Sequence, residues 1–306
     1  MLGRRQLREK AMQAIYAWKM SGAENADSRV IEKNMLKGVD QIYDLYVYLL
    51  NLLVFQKTLA ENKIEVARNK QLPTNEDLNP NLRFVENRIF KFLEENEELN
   101  QFNSNNKQLQ WDTIENHFPK NIFNQIITSE EYKNYMAQDE ASFKDDKNFI
   151  LEIYEKFIAA DDNLSELMED KSIYWSDDFH IGNSMVMATL KSFTGKSSSD
   201  YKLFKVYKDE DDKKFIIDLF RMTIQNRDET TKIISEKAKN WELDRIAALD
   251  MVILQMAITE FLYFKNIPPK VILNEYIELS KVYSTDKSNI FINGILDKTI
   301  KDTSRF

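Results

Sequence analysis

Apolar residues recur at a helical period along most of the chain. Between residues 3 and 20 they fall on one stripe of a helix, with polar positions on the opposite side. That stripe consists of Leu7, Ala11, Ala14, Ile15 and Trp18. A second helix is predicted over residues 31–70, and its centre, IYDLYVYLLNLLVF, is 14 residues long. Because this run is too short to cross a bilayer, it predicts a buried core helix.

The stretch from Pro268 to Lys298 predicts two more helices, joined by a polar turn. Their apolar positions are Ile272, Tyr276, Leu279 and Tyr283 in the first helix and Phe291, Ile292, Ile295 and Leu296 in the second. Asn293-Gly294 is a pair typical of hairpins, but here the flanking period is helical. We therefore predict that Gly294 is a close contact between helices and that the Asn274 amide is buried and hydrogen-bonded.

The chain contains an internal repeat. Residues 145–175 align without a gap on residues 211–241, at a constant offset of 66 that places Trp175 on Trp241. Two amphipathic helices always share a period, which explains part of the similarity. It does not explain the matching DDK triplets, the tryptophans and the equal gap between the helices. The repeat therefore favours two related helical units produced by duplication, and it predicts that Trp241 lies in the core.

Composition narrows the fold class. The 306 residues include six Gly and five Pro, whereas catalytic α/β folds need glycine for tight turns and phosphate loops. This shortage, with the helical periods, predicts an all-α protein. Cysteine is absent, which excludes disulfides and cysteine metal ligands and suits the cytosol. No apolar run reaches about 18 residues and no apolar signal core opens the chain, so we expect a cytoplasmic protein without membrane contact.

Residues 195–200, GKSSSD, are the best candidate for a boundary between domains. Gly-Lys-Ser also occurs in phosphate loops, but Leu190 stands where that motif needs its first glycine. No buried strand precedes the segment either. We therefore predict that it is a linker.

Positive charge is concentrated at the start of the chain. Arg4, Arg5, Arg8 and Lys10 lie within seven residues and are opposed by Glu9 alone, whereas the whole chain has a net charge of −8. Any contact with nucleic acid must therefore be local. Cations at a helix N-terminus oppose the helix dipole, which favours a functional reason for them, such as phosphate. On charge alone, a solvated helix start is an equally good interpretation.

Three segments resemble conserved blocks of the NusB family of transcription antitermination factors. GRRQLREKAMQAIYAW is similar to the arginine-rich helix that opens these proteins, and WELDRIAALDMVILQMAITEFL is similar to their third block. VILNEYIELSKVYSTDKSNIFINGILDK resembles their most specific signature, an INEA-E-LAK helix followed by FVNGVLDK. The resemblance implies an all-α fold of two packed three-helix bundles. It also implies binding to boxA, a short single-stranded RNA element of ribosomal RNA leaders. The RNA would be held jointly with NusE, a small-subunit ribosomal protein, in an assembly that joins RNA polymerase.

The resemblance assigns residues to the RNA. The arginine-rich helix start falls on Arg4, Arg5 and Arg8, and the RNA-facing aromatic residues fall on Tyr16 and Phe291. Single-stranded RNA is bound by cations that follow the phosphates and by aromatic rings that stack on bases, at about 1–3 kcal/mol per base. For Phe291, an ordinary core position is an equally good prediction. The site also requires that the first helix packs beside the C-terminal pair of helices.

The resemblance assigns two acidic residues to the protein partner. These are Asp250, ahead of the third block, and Asp286, in the turn before FING. The chain departs from the family pattern at Gln255, where arginine is usual, and at Tyr276 and Ser280, where alanine is usual.

A larger departure lies in the domain organisation. Residues 1–20 are predicted to be the arginine-rich helix of the NusB-like fold, and residues 206–306 its C-terminal helical domain. Between them, residues 21–205 form a helical insertion that includes one copy of the repeat at 145–190. The common bacterial form is expected to have only a short connection there.

Two other functions compete with this one. His117 and His180 are the only histidines, and DDFHIG around His180 could form one corner of a metal site. Such sites need a third and fourth converging ligand, and none is suitably spaced, so we expect no metal, no cofactor and no enzymatic activity. The stronger alternative is a helical protein-interaction scaffold that has lost RNA binding, which the net charge of −8 favours.

Overall fold

A computed structural model describes residues 1–22, 27–112, 117–140, 142–238 and 245–303. Within these ranges the regular structure is helical and contains no strand, which confirms the predicted all-α class. The α-helices, in chain order, are α1 (Arg4–Met20), α2 (Ser28–Arg68), α3 (Asn75–Leu78), α4 (Arg88–Glu94), α5 (Glu97–Asn105), α6 (Phe118–Thr128), α7 (Glu130–Met136), α8 (Phe143–Tyr154), α9 (Asp162–Lys171), α10 (Phe179–Ser192), α11 (Glu210–Gln225), α12 (Arg227–Lys237), α13 (Ala248–Tyr263), α14 (Pro269–Tyr283) and α15 (Asp286–Thr303). A 3-10 turn, Lys107–Leu109, follows α5, and a π-helical turn, Glu155–Ala159, extends α8. Among the residues that the structure describes, no helix is both long enough and apolar enough to cross a membrane.

The chain forms two compact units. The first combines Met1–Val39 with Tyr207–Phe306, and the second is Asp40–Val206. The first division falls inside α2, whereas the insertion was predicted to begin at residue 21. The second division lies next to the predicted boundary at residue 205.

The segment 195–200 lies in the loop between α10 and α11, but this loop is anchored to the second unit. The Asn96 side-chain amide donates a hydrogen bond to the Tyr201 carbonyl at 2.7 Å. Leu203 is buried, and its N–H donates to the Glu98 carboxylate at 3.0 Å. The residues after GKSSSD are therefore fixed by contacts that a free linker would not make.

Helix α13 is the centre of the first unit. Its sequence, ALDMVILQMAITEFLY, is apolar on nearly all sides, and a helix of this kind is buried all round. It packs against α1, α11, α12, α14 and α15. One group of three packed helices is α1, α11 and α13, and a second is α13, α14 and α15. The paired three-helix arrangement is therefore present, with α13 common to both groups.

Helix α2 supplies much of the core of the second unit. Its residues 45–50, 52 and 53 are buried, which confirms the predicted core helix. Helix α10 packs against it at Gly182, where a Cβ would stand 2.9 Å from Leu45 Cγ, so only glycine permits this approach. The predicted close contact at Gly294 is wrong. That glycine is on the exposed face of α15, and nothing lies within 4 Å of the position a Cβ would take.

The repeat in the sequence is also a repeat in the structure. At the offset of 66, α8 with its π turn corresponds to α11, α9 corresponds to α12, and α10 overlaps α13. Asp146 and Asp212 occupy the same place in α8 and α11, and both are buried. Trp175 is buried as well, whereas its counterpart Trp241 lies outside the described residues. Corresponding helices with corresponding buried acids support the predicted duplication.

Candidate nucleic-acid interface

Three arginines lie in the first turns of α1, which begins at Arg4. Their exposure differs widely, because 44% of the Arg4 side chain and 49% of the Arg5 side chain are exposed, against 2% for Arg8. The helical period explains the difference for Arg8. It shares a face with Met12 and Ile15, which are both buried, and therefore points into the first unit.

Arg8 forms a buried ion pair with Glu260 of α13. Its Nε and one Nη atom donate to the two carboxylate oxygens at 2.9 and 2.5 Å, and the Tyr276 hydroxyl donates to the same carboxylate at 2.8 Å. Burial, with the charge of Glu260, raises the pKa of Tyr276 well above 10.0, so its hydroxyl stays a donor. A guanidinium enclosed in this way cannot reach an RNA phosphate in this conformation. In this conformation Arg8 ties α1 to α13. Its contact with RNA stays a prediction.

Arg5 forms a second bidentate pair, at the surface. Its Nε and Nη2 atoms donate to the two carboxylate oxygens of Glu275 in α14, both at 2.9 Å. The hydrogen bond from Arg5 lowers the pKa of Glu275 below its ordinary value of 4.5, so the carboxylate is charged at neutral pH. Since half of the Arg5 side chain is exposed, a phosphate in solvent can approach it.

Arg4 makes a looser contact with the fold. Its Nε lies 3.4 Å from the carboxylate of Asp212 in α11, and its guanidinium carbon lies 5.0 Å from the centre of the Phe215 ring. A cation over an aromatic ring at an exposed site is worth about 0.5–1 kcal/mol. Arg4 and Arg5 thus present two accessible positive charges at the same end of α1.

Helix α1 packs beside α14, the first helix of the C-terminal pair. Arg5 contacts Glu275 in the middle of α14, and one turn further along α1 the Glu9 carboxylate accepts a hydrogen bond from the Tyr283 hydroxyl at the end of α14. The two helices are therefore joined at both ends of this contact. This confirms that the arginine-rich helix lies against the C-terminal stretch.

Tyr16 and Phe291 are both half-buried. Tyr16 follows Arg5 by 11 residues and Glu9 by 7, which places the three on one face of α1. Phe291 lies in the second turn of α15, the helix that follows α14. Both side chains remain partly accessible, as stacking on a base requires. Their contact with RNA stays a prediction.

The two acids assigned to a protein partner differ in burial. Asp250, in the first turn of α13, is buried and accepts a hydrogen bond from the Ser284 hydroxyl. Its carboxylate joins α13 to the turn between α14 and α15. Its contact with a partner stays a prediction. Asp286 is the exposed first residue of α15, where the helix dipole favours negative charge. It is the more accessible of the two candidates for a partner contact.

The sequence of the chain is similar to known proteins of one family. A sequence model of the NusB family matches residues 179–301, which is less than half of the chain. Proteins named transcription antitermination protein NusB are 44% identical over 104 residues in Salinibacter ruber, 41% over 97 residues in Methylacidiphilum infernorum and 38% over 102 residues in Alkaliphilus oremlandii. These alignments cover 33%, 32% and 33% of this chain, and 65%, 68% and 74% of the three relatives. The chain belongs to the NusB family. The aligned segment spans just under two thirds of the Salinibacter ruber protein.

The segment that matches the NusB family contains the carboxylates that bind the arginines of α1, but not the arginines themselves. It begins at the start of α10 and ends in α15, so it includes Glu260 and Glu275 and leaves out the arginines of α1. The resemblance of the first helix to the NusB arginine motif therefore rests on its own residues. The fold brings that helix to the matched segment.

The carboxylates that hold the arginines were not predicted from the sequence. Glu260 is a lone acid in an apolar run, and this pattern indicates a buried partner of opposite charge. No local pattern connects it with Arg8, which is 252 residues away. Asn274, predicted to be buried, is exposed, because it lies on the side of α14 opposite to Ile272 and Tyr276.

The residues considered for metal binding do not form a site. His180 is exposed in the first turn of α10. Across the residues that the structure describes, no group of three or more His, Cys, Asp or Glu side chains could hold a metal ion.

Proposed function

We propose that this chain is an RNA-binding transcription antitermination factor of the NusB family. Its RNA is single-stranded and of the boxA type found in the leaders of ribosomal RNA operons. The observation that carries the proposal is the position of Arg4 and Arg5, half-exposed at the start of α1 and beside α14. The names of the relatives, transcription antitermination protein NusB, support the same process.

The proposed RNA path follows α1. Phosphates contact Arg4 and Arg5, and bases stack on the accessible parts of Tyr16 and Phe291. Arg5 contacts Glu275 in the middle of α14, and Glu9, one turn later in α1, contacts Tyr283 at the C-terminal end of α14. The two helices are therefore parallel. Tyr16, two turns after Glu9, lies on the side of the turn that leads to α15. The net charge of −8 confines the attraction to this end of the first unit.

A protein partner completes the proposed assembly. The RNA is held jointly with NusE, and the complex then joins RNA polymerase in the cytoplasm. Asp286 is the acid that supports this proposal, because it is exposed and close in sequence to Phe291. An RNA held by two proteins needs fewer contacts from each, which suits a helix α1 in which Arg4 and Arg5 are accessible and Arg8 is buried.

The experiment measures binding of boxA-type RNA by the full chain, with and without NusE, over a range of salt concentrations. Each phosphate contact with a single strand contributes about −0.7 to the slope of log Kobs against log salt. The double substitution Arg4→Ala with Arg5→Ala should therefore weaken binding at low salt and flatten the slope by about 1.4.

Arg221→Ala is the matched control. This arginine is 62% exposed and donates to both oxygens of Glu32 at 2.7 Å, so it resembles Arg5 in exposure and in partner but lies outside the proposed path. It should leave the RNA affinity within about twofold, as loss of one surface charge predicts. RNA affinity that is absent, or that does not depend on salt or on Arg4 and Arg5, would instead support the interaction scaffold.

A further inference from the structure

The guanidinium of Arg5 is already occupied by an anion in the folded chain. Nε and Nη2 donate to the two oxygens of Glu275 at 2.9 Å, so one complete edge of the guanidinium is used. A phosphate is recognised by the same bidentate geometry. The carboxylate therefore stands where one oxygen pair of a phosphate would bind, and it cancels much of the charge that attracts RNA.

We propose that Glu275 sets the affinity of this surface for RNA by competing with phosphate for Arg5. The proposal rests on the RNA-binding function proposed above and adds a residue that limits it. Glu275 keeps Arg5 neutralised when RNA is absent. RNA binds only where its other contacts compensate for the carboxylate that it displaces or screens.

The position of Glu275 favours this role over a purely structural one. Its side chain is 19% exposed, so RNA can reach the pair that it forms with Arg5, unlike the enclosed pair of Arg8 with Glu260. Its other basic neighbour in α1, Arg8, is 3.8 Å away and already has Glu260 as its bidentate partner. Removing the charge of Glu275 therefore releases Arg5 and leaves the principal contact of Arg8 intact.

The test compares two neutral substitutions on neighbouring turns of α14. Glu275→Gln removes the carboxylate that holds Arg5. Glu278→Gln makes the same change in net charge one turn away, where the carboxylate contacts Lys281 at 2.6 Å. Exposed pairs of this kind affect binding by about two- to fivefold. Glu275→Gln should tighten binding of boxA-type RNA by that factor at low salt and clearly more than Glu278→Gln.

A double substitution separates release of Arg5 from a general change in charge. If the gain comes through Arg5, Glu275→Gln adds no affinity in a chain that already carries Arg5→Ala. Glu275→Asp is a second variant that keeps a negative charge near Arg8 but withdraws the carboxylate from Arg5 by about one bond length. Its affinity should lie between those of the wild type and Glu275→Gln, and far-UV circular dichroism checks that all variants are folded.

Two results overturn the proposal while the RNA-binding function stands. One is salt-dependent binding that needs Arg5 but is unchanged, or is weakened, by Glu275→Gln, since the carboxylate would then only position the arginine. The other is an equal gain from Glu275→Gln and Glu278→Gln, which would be a general effect of charge. If the wild-type chain does not bind RNA at all, the proposed function itself is refuted, which is a different outcome from these two.

Discussion

The buried pair of Arg8 and Glu260 leads to a prediction that separates folding from RNA binding. Arg8→Met removes the guanidinium and keeps an unbranched apolar side chain in place of the aliphatic part of arginine. Glu260 then stays in the core and keeps the hydrogen bond from the Tyr276 hydroxyl but loses both from Arg8. Removal of one partner of a buried pair costs about 3–5 kcal/mol, since the other charge stays without compensation. Single domains are stable by about 5–15 kcal/mol, so a large part of the stability of the first unit is lost.

Urea denaturation followed by far-UV circular dichroism measures this cost. Because the chain forms two units, the curve is fitted with two transitions, and only that of the unit containing α1 should move. In a thermal scan the same loss lowers the melting temperature of that unit by about 6–20 °C. The control is Arg221→Met, which removes an arginine from an exposed bidentate pair with Glu32 and should cost no more than about 1 kcal/mol.

A double substitution tests the physical cause. Replacing both members of a buried pair by apolar residues is often nearly neutral, because no buried charge is left. Arg8→Met with Glu260→Met should therefore recover most of the stability lost in Arg8→Met alone. The reasoning is refuted if Arg8→Met unfolds like the wild type and instead weakens RNA binding with a smaller salt slope, since Arg8 would then contact phosphate directly.

Two further predictions concern the pH dependence of stability and the glycines. Arg5 lowers the pKa of Glu275, so the pair stabilises the fold fully above the unfolded pKa of about 4.5 and less as the pH falls through the lower folded value. The stability difference between wild type and Glu275→Gln should accordingly shrink in urea titrations below pH 4.5, and a difference independent of pH would contradict this. Gly294→Ala should stabilise α15 by about 0.5–1 kcal/mol, because the position is helical and open. Gly182→Ala should instead cost about 1–3 kcal/mol, because the new methyl group meets Leu45, and equal denaturation midpoints for the two variants would refute this contrast.

The helices themselves were largely predictable from the sequence. The apolar stripe around Leu7 and Trp18 and the run in the centre of α2 each depend on local periodicity, and local periodicity does not need the rest of the fold. The turn before α15 and the two helices around it were predictable for the same reason. The offset of the repeat likewise predicted corresponding helices in both units, because it compares the chain with itself.

The contacts between helices were less predictable. Arg4, Arg5 and Arg8 look alike in the sequence, although only the first two are accessible. Arg8 is spaced four and seven residues before apolar positions of α1, which is a local sign of burial, but its partner Glu260 is 252 residues away. The glycines show the same limit. Gly182 and Gly294 both lie inside helices. A side chain fits at Gly294, where nothing packs against the position, and not at Gly182, where Leu45 does, and this difference is set by the tertiary fold.

The second unit contains an arginine contact that corresponds to that of Arg4 in the first unit. Arg88 is the first residue of α4, which packs against α8, and its Nε donates to Asp146 at 2.5 Å with 42% of the side chain exposed. Arg4 begins α1 and contacts Asp212, at the corresponding place in α11, with a similar exposure. An arginine at a helix start that holds this buried acid is therefore a feature of both units.

The residue after that first arginine differs between the two units. In α4 it is Ile89, which is fully buried, whereas in α1 it is Arg5, which is half-exposed and contacts Glu275. A contact that recurs in a unit without the α14 and α15 helices serves packing first, so Arg4 has a structural role that does not need RNA. Arg5 has no such counterpart. The proposed RNA function of the first helix therefore depends more on Arg5, and on the carboxylate that holds it, than on the arginine beside it.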